Sequence, residues 1–479
     1  MNKLLSLGIL ATLGLYSCDN DNPNPVAGKQ VNLENHSITP DLLIAMSGFE
    51  SVKKYSLFGS ADNFENTPSF VFGGSADGAG LLKEGNQYQL FVNNEDNFSV
   101  ARVTLDETFK PIAGAYVMNS NGTGTRMCSA TLATPEEHGF GPIFLTAGES
   151  GPESQTQGIF ASADPLDAAT PRPITAFGRW NAENAMPMNK KAYANQTVVF
   201  IGDDDSGTYG GQVAMYVGAT GDLNSGKVYV LRRKDLNPRE MDVRIGQTYE
   251  VEFVEIQNVR TNTGEQNNMA SQALNSIAFG RVEDLDYRKA AGLEREVYFN
   301  VTGQNDSGTN ADYSRSKYGR VYKLTLSPNS PLSGTLEVIL DGDDRSGKAK
   351  TFQNPDNITV TENFIYVKED PNGYGDETHD AYIYQYDLRN GSLKVAFELD
   401  HGRTGTGTDL YGGRESRFGS WEYGAMIDVS DIIGVPDTFV LCLQPHTWRS
   451  DDFKGVDGGT IRPNENQGSQ IVVLNGLAR

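Results

Sequence analysis

Carboxylates stand in pairs and triplets at the ends of short apolar runs along this chain. Glu95 and Asp96 follow LFVNN, Glu149 follows IFLTAG, Asp203 to Asp205 follow VVFIG, and Glu369 and Asp370 follow FIYVK. Each run is rich in Val, Ile, Phe or Tyr and is bounded by turn formers, the pattern of a β-strand entering a loop. One acidic turn is ordinary loop chemistry. Four at the same place in a recurring unit set like charges close together, and such charges repel strongly unless cations neutralise them. The pattern predicts bound metal. Glu149 with Asp203 and Asp204 offers oxygen donors only, a set that suits calcium.

The elements that must position these residues recur along the chain. A short apolar strand, a polar turn and a second strand appear at 89–105, 143–161, 198–217, 297–326, 364–388 and 439–474. The spacing is uneven, which excludes a regular WD40 array. Six such units predict an all-β fold, a six-bladed β-propeller with long loop insertions; a sandwich or a β-helix is the alternative. In a propeller the inner strands face one central channel, so residues distant in sequence converge at their ends.

Composition narrows the function. The chain has 479 residues and a net charge of -22, which argues against a nucleic-acid partner, since that requires a basic face. An anionic substrate would need metals or local arginines to offset the field. Only five histidines occur (His36, His138, His379, His401 and His446). With no GxSxG elbow, a hydrolytic triad is not expected. No phosphate-binding glycine loop follows a strand, and the Gly-Thr stretch 403–408 reads as linker. Of three cysteines, Cys128 and Cys442 are left once Cys18 is assigned to the N-terminal signal. In an oxidising compartment they could pair as a disulfide; alternatively Cys128 is a metal ligand.

The N-terminus has the form of an export signal. Lys3 precedes the apolar run 4–16, which is too short to span a bilayer as a stable helix. Leu15, Ser17 and Cys18 form a lipobox, predicting a signal peptide at 1–17 and lipidation of Cys18. Asp19 and Asp21 lie in a polar, Pro-broken segment that resembles a lipoprotein surface-export signal. The expected organisation is a lipidated acidic tether over 18–40 and one domain over 41–479, an outer-membrane lipoprotein facing outward.

A series of short motifs, in order, resembles the PhoX-type alkaline phosphatases, extracytoplasmic propellers that use iron and calcium. LFVNNED (90–96) is similar to that family's Asn-His-Glu strand end, with Glu95 matching and Asn94 in place of His. GTRMCSATLAT (124–134) and GPIFLTAGES (141–150) resemble its metal-binding cysteine and Cys-Glu-Glu strand end; Cys128 and Glu149 match, and Ser150 replaces the second Glu. FGRWNAENA (177–185) puts Glu183 at a ligand position, with Ala182 for His. FGRVEDL (279–285) resembles an Arg-Pro-Glu-Asp element, with Arg281 as phosphate contact, Glu283 as ligand and Val282 for Pro. QNPDNITVTENFIYVKED (353–370) is similar to a Pro-Asp-Asn strand and its acidic end. GSWEYGAMIDVSDIIG (419–434) and CLQPHTW (442–448) resemble its Trp-Glu-Ser-Ser-Gly and Gln-Ala-His elements.

The resemblance implies a metal-dependent phosphomonoesterase that releases phosphate from small phosphate esters at the cell surface. Cys128, Glu183 and Glu283 would hold iron, because mixed thiolate and carboxylate donors suit it. Glu95, Glu149, Asp203, Asp204 and Glu369 would hold calcium. Arg281 would bind the phosphoryl group bidentately. His446 would orient phosphate or a metal-bound oxygen, or else be a strand-end histidine bonded to backbone. The departures at Asn94, Ser150 and Ala182 remove donors and leave a rival reading, a non-catalytic, calcium-stabilised propeller lipoprotein binding glycan or protein. Another metal hydrolase of the propeller class, such as a lactonase or phosphotriesterase, is a third.

Overall fold

The computed structural model describes residues 30–160, 167–403 and 410–479. The expected signal peptide, Cys18 and the first part of the tether lie outside them, as does most of the stretch 403–408. Residues 32–40, expected in the tether, run against the domain: Asn32 N donates to Thr108 O (3.0 Å) and Ser56 N donates to Asn35 Oδ1 (2.8 Å).

Nearly all regular structure is antiparallel sheet, in a propeller-like arrangement. One sheet runs outward from Ala76–Glu84 to Pro111–Met118, and a second from Met127–Ala133 to Gln157–Phe160. A third begins at Pro355–Val360 and ends on Leu43–Ala45, which pairs with Leu393–Leu399. A fourth holds Glu422–Asp428, Thr438–Gln444 and Gln470–Asn475, with Lys53–Gly59 as its outermost strand. That last pairing ties the N-terminal part of the described chain to its C-terminal strand and so closes the ring of sheets.

The remaining sheet departs from six separate blades. The units that start at Ala182–Pro187 and Val282–Tyr287 merge into nine strands, because Thr248–Glu255 pairs with Ser330–Asp341 in the register Thr248↔Glu337 to Glu252↔Ser333. This sheet curls until its edge strands meet: Asn184 Nδ2 donates to Leu285 O (3.3 Å). The result is four blades and a near-closed barrel.

Strands such as Gln196–Asp203 (QTVVFIGD) are buried along almost their whole length, because sheets pack on both faces. Apolar side chains fill the gaps between sheets. Leu57, Phe58, Leu81, Leu90, Val440 and Ile471 pack between the first sheet and the last. Each such side chain contributes about 1.5–3 kcal/mol on burial.

What positions the functional residues is a defect repeated in every inner strand. Ala76↔Asn94 is followed by Ala79↔Val92, and Met127↔Gly148 by Ala130↔Thr146. Ala182↔Asp203 is followed by Asn184↔Gly202, and Val282↔Val301 by Leu285↔Phe299. Pro355↔Glu369 is followed by Ile358↔Val367, and Tyr423↔Leu443 by Met426↔Leu441. Each time the inner strand carries one residue more than its partner, a β-bulge that re-aims side chains. The residues released are Asp77, Cys128, Glu183, Glu283 and Asp356; in the last strand Gly424 takes the place.

Glycine lets these bulges approach one another. A Cβ on Gly78 would lie 2.5 Å from both Ala130 N and Cys128 O, and one on Gly424 would lie 2.5 Å from Ala76 O. Backbone cannot yield as a flexible side chain would. Gly78→Ala is therefore expected to destabilise the protein by about 1–3 kcal/mol, as overpacking does. An unchanged urea midpoint would contradict so close a packing of the inner strands.

Candidate metal centre

The bulged residues meet on the axis in interlocking groups. Ligand atoms of Asp77, Cys128 and Glu183 lie within 4.8 Å of one another, as do those of Glu183, Glu283 and Asp356, and those of Glu95, Cys128 and Glu149. Glu183 and Cys128 each belong to two groups. The expected trio Cys128, Glu183 and Glu283 is thus spread over neighbouring groups, completed by Asp77 and Asp356.

A second tier comes from the loops that leave the second strands. The residue just past each strand donates its N–H to the residue just before the inner strand. Glu95 N reaches Ser75 O (2.9 Å), Glu149 N reaches Arg126 O (3.0 Å), and Asp204 N reaches Asn181 O (2.7 Å). Thr302 N reaches Arg281 O (3.0 Å), and Asp370 N reaches Asn354 O (3.1 Å). This shared bond puts Glu95, Glu149, Asp204 and Asp370 in equivalent places facing the axis.

Asp203 and Glu369, expected as calcium ligands, stand one residue earlier, and one residue along a strand reverses the face. Asp203 Oδ1 instead accepts from Asn181 N (3.1 Å). Glu369 is capped by protein donors: Gln353 N (2.6 Å), Tyr382 N (2.9 Å), Tyr384 OH (3.1 Å) and the His379 ring (3.0 Å). Neither joins a cluster of potential ligands. Asp204 faces the axis but is held by Arg281, Nε to Oδ1 at 2.6 Å and Nη2 to Oδ2 at 3.1 Å.

Arg281 borders the centre. Its Nη2 also lies 3.2 Å from Glu283 Oε1, and Nη1 donates to Asn372 Oδ1. Its φ of 70° is a left-handed backbone that only surrounding structure sustains in a non-glycine residue. His446 is not bonded to backbone through its ring: Nε2 sits 3.2 Å from Glu422 Oε1 and Nδ1 meets Gln467 Oε1. Cys128 and Cys442 are both free thiols, so the disulfide reading is set aside. The Cys128 thiol donates to Glu149 Oε2 at 3.0 Å. Asn94 and Ser150 have structural bonds, Asn94 Nδ2 to Gly73 O (3.0 Å) and Arg126 N to Ser150 Oγ (3.0 Å).

The electrostatics call for cations. Burial first, then neighbouring carboxylates, pushes Asp77, Glu95, Glu183, Glu283 and Asp356 well above the usual carboxylate range. Burial and Asp204 raise Glu149 to about 8. Burial and Glu149 raise the Cys128 thiol as well. Asp356 Oδ1 is buried with no hydrogen-bond partner. Among the described residues, Arg126 and Arg281 are the cationic side chains in ion-pair contact with this group, too few to neutralise it. A thiol with carboxylates suits iron, and carboxylates alone suit calcium. The residues present fit a metal centre.

A propeller-like fold closed around a thiol-and-carboxylate axis has the donor set of a metal-binding propeller. The family model for alkaline phosphatase PhoX matches residues 104–401, more than half of the sequence, and the chain belongs to that phosphatase family. Asp77 and Glu95 precede the matched region; Glu422 and His446 follow it. Among solved structures, Pseudomonas fluorescens PhoX in complex with vanadate, a transition state analogue, shares the fold. It is 14% identical, with a TM-score of 0.60 over 92% of this chain and 98% of that one. A PQQ-bound aldose sugar dehydrogenase from Streptomyces coelicolor is more distant, at 10% identity and TM-score 0.36 over 89% of this chain and 99% of that one. Compared with curated protein sequences, the chain has no significant match.

Titration gives a direct check. Glu149, at about 8 in the folded chain against an ordinary 4.5, keeps a proton that the unfolded chain releases. Stability of metal-free protein should therefore fall as pH rises across that window. Urea midpoints between about pH 5 and 8 should show this slope, and added calcium and iron should flatten it and raise the midpoint. A flat profile without metal would contradict the reading.

Proposed function

We propose that this chain hydrolyses phosphate monoesters outside the cell, using iron and calcium, as a lipid-anchored enzyme of the outer membrane. The observation that carries the reading is the pair of ligand clusters sharing Glu183, with Arg281 at their edge. Asp77, Cys128 and Glu183 would hold iron, Glu183, Glu283 and Asp356 a neighbouring ion, and Glu95 with Glu149 calcium. When bound, such ions offset phosphate charge and generate an oxygen nucleophile without a side-chain nucleophile.

The chain's own groups orient the ester. Asp204 takes the Nε and Nη2 edge of Arg281 and Asn372 an Nη1 donor, so they fix its plane before substrate arrives. The guanidinium donors left over would meet a phosphoryl oxygen. Positioning and charge are most of what phosphoryl transfer requires of a protein. His446 acts at one remove, holding Glu422 against the acidic tier. The burial of Cys128, Glu183 and Glu283 keeps competing water from their far sides. We count the nine-stranded sheet as two blades fused at one edge, which makes six. The lipobox at Leu15 to Cys18 and the acids behind it support surface display, where phosphate esters too polar to cross the membrane are met.

Purified protein should contain iron and calcium and should hydrolyse an aryl phosphate. Loss of residues that merely support ligands costs about 10–100-fold, so Cys128→Ser and Glu283→Gln should each lower kcat by at least about 100-fold. Full activity in both would sink the assignment. Cys18→Ser should move the protein from the membrane fraction to the soluble one; retention in the membrane would contradict the anchor.

A further inference from the structure

Arg281 has a counterpart two blades away. It stands immediately before the inner strand Val282–Tyr287, and its carbonyl accepts the N–H of Thr302. Arg126 stands immediately before the inner strand Met127–Ala133, and its carbonyl accepts the N–H of Glu149. The fold therefore places two guanidinium groups at equivalent positions around one axis. The carboxylate of Glu149 lies within electrostatic reach of both.

They differ in how firmly they are held. Arg281 is fastened by the fork to Asp204, and its side chain is 22% exposed. The backbone of Arg126 is hydrogen-bonded between Glu149 N and Ser150 Oγ, whereas its guanidinium makes ion-pair contacts without a fork. Its Nε is 3.3 Å from Asp96 Oδ1 and 3.6 Å from Glu95 Oε1, yet it is buried without a hydrogen-bond acceptor, and the side chain is 41% exposed. A buried donor left unbonded is unfavourable and seeks an anionic acceptor. Glu95 also belongs to the ligand cluster with Cys128 and Glu149. A cation there would draw on the carboxylate charge that now attracts Arg126, freeing its donors for another anion.

We propose that Arg126 is a second phosphoryl-binding arginine, reaching the phosphate from a place two inner strands round the axis from Arg281. This rests on the phosphatase reading above and deepens it. Arg126 contacts oxygens of the bound phosphate dianion, as Arg281 does.

The test is equilibrium binding of inorganic phosphate to the metal-loaded protein by calorimetry, with iron and calcium content measured on the same samples. Loss of a hydrogen bond to a charged group weakens binding by roughly ten- to a hundred-fold. Arg126→Ala should show such a loss with metal content unchanged. Arg126→Lys, which keeps the charge but not the fork, should fall between Arg126→Ala and the parent. Phosphate affinity within twofold of the parent in both variants overturns the proposal. So does a fall in metal content parallel to the loss of affinity, because Arg126 would then only hold Glu95 and Asp96 in place. If the unaltered protein and Arg281→Ala both fail to bind phosphate, the phosphatase reading fails with it. If the unaltered protein binds and only Arg126 proves neutral, that reading stands and this one falls.

Discussion

Like charge confined in a small volume governs this structure. Asp77, Glu95, Glu149, Glu183, Glu283 and Asp356 converge with the Cys128 thiol around one axis. Among the described residues two arginines pair with them, Arg126 with Glu95 and Arg281 with Glu283. Buried anions at such spacing are tolerated only when protons or metal ions lie among them. Protons suffice at low pH, which is why burial lifts these groups so far above the ordinary carboxylate range. At neutral and alkaline pH protons no longer suffice, and a group of this donor chemistry calls for cations.

The architecture follows from the need to deliver those groups. A regular inner strand would point alternate side chains into the packed sheets on either side. One extra residue in each of the six inner strands breaks that alternation where it meets the axis. Glycine at 78 and 424 lets neighbouring bulges pack closely enough for their ligand-type side chains to lie within reach of one another. Fusion of the third and fourth units along the outer edge leaves this inner ring intact, since it joins Thr248–Glu255 to Ser330–Asp341 far from the axis. Outer pairing varies while inner geometry is kept.

Much of this was legible in the residues. Acidic turns after short apolar strands announced Glu95 and Glu149, and the repeated unit announced propeller-like β-structure. Cys128, Glu183, Glu283 and Arg281 came through the resemblance to PhoX-type phosphatases. Strand ends cannot be read to a single residue: the sequence marks Asp203 together with Asp204, and Glu369 rather than Asp370, while Asp204 and Asp370 are the two that take the equivalent places in the structure. Asp77 escaped because ADGAGLLKE reads as loop, its glycines being poor strand formers kept for close approach. Asp356 lay in plain view in a Pro-Asp-Asn stretch, but only the bulge between Pro355 and Ile358 turns it inward. The nine-stranded sheet depends on pairing between segments some eighty residues apart, which no local pattern encodes.

The bulged inner strands bring Cys128 and Glu183 to the junction of the ligand clusters, where metal should sit. Anomalous diffraction from crystals of metal-loaded protein, collected on either side of the iron absorption edge, tests this placement most directly. Iron density bounded by Asp77, Cys128 and Glu183 is expected, with further ion density beside Glu283 and Asp356. An axis without ordered metal, or ions gathered instead around Asp203 and Glu369, would contradict it.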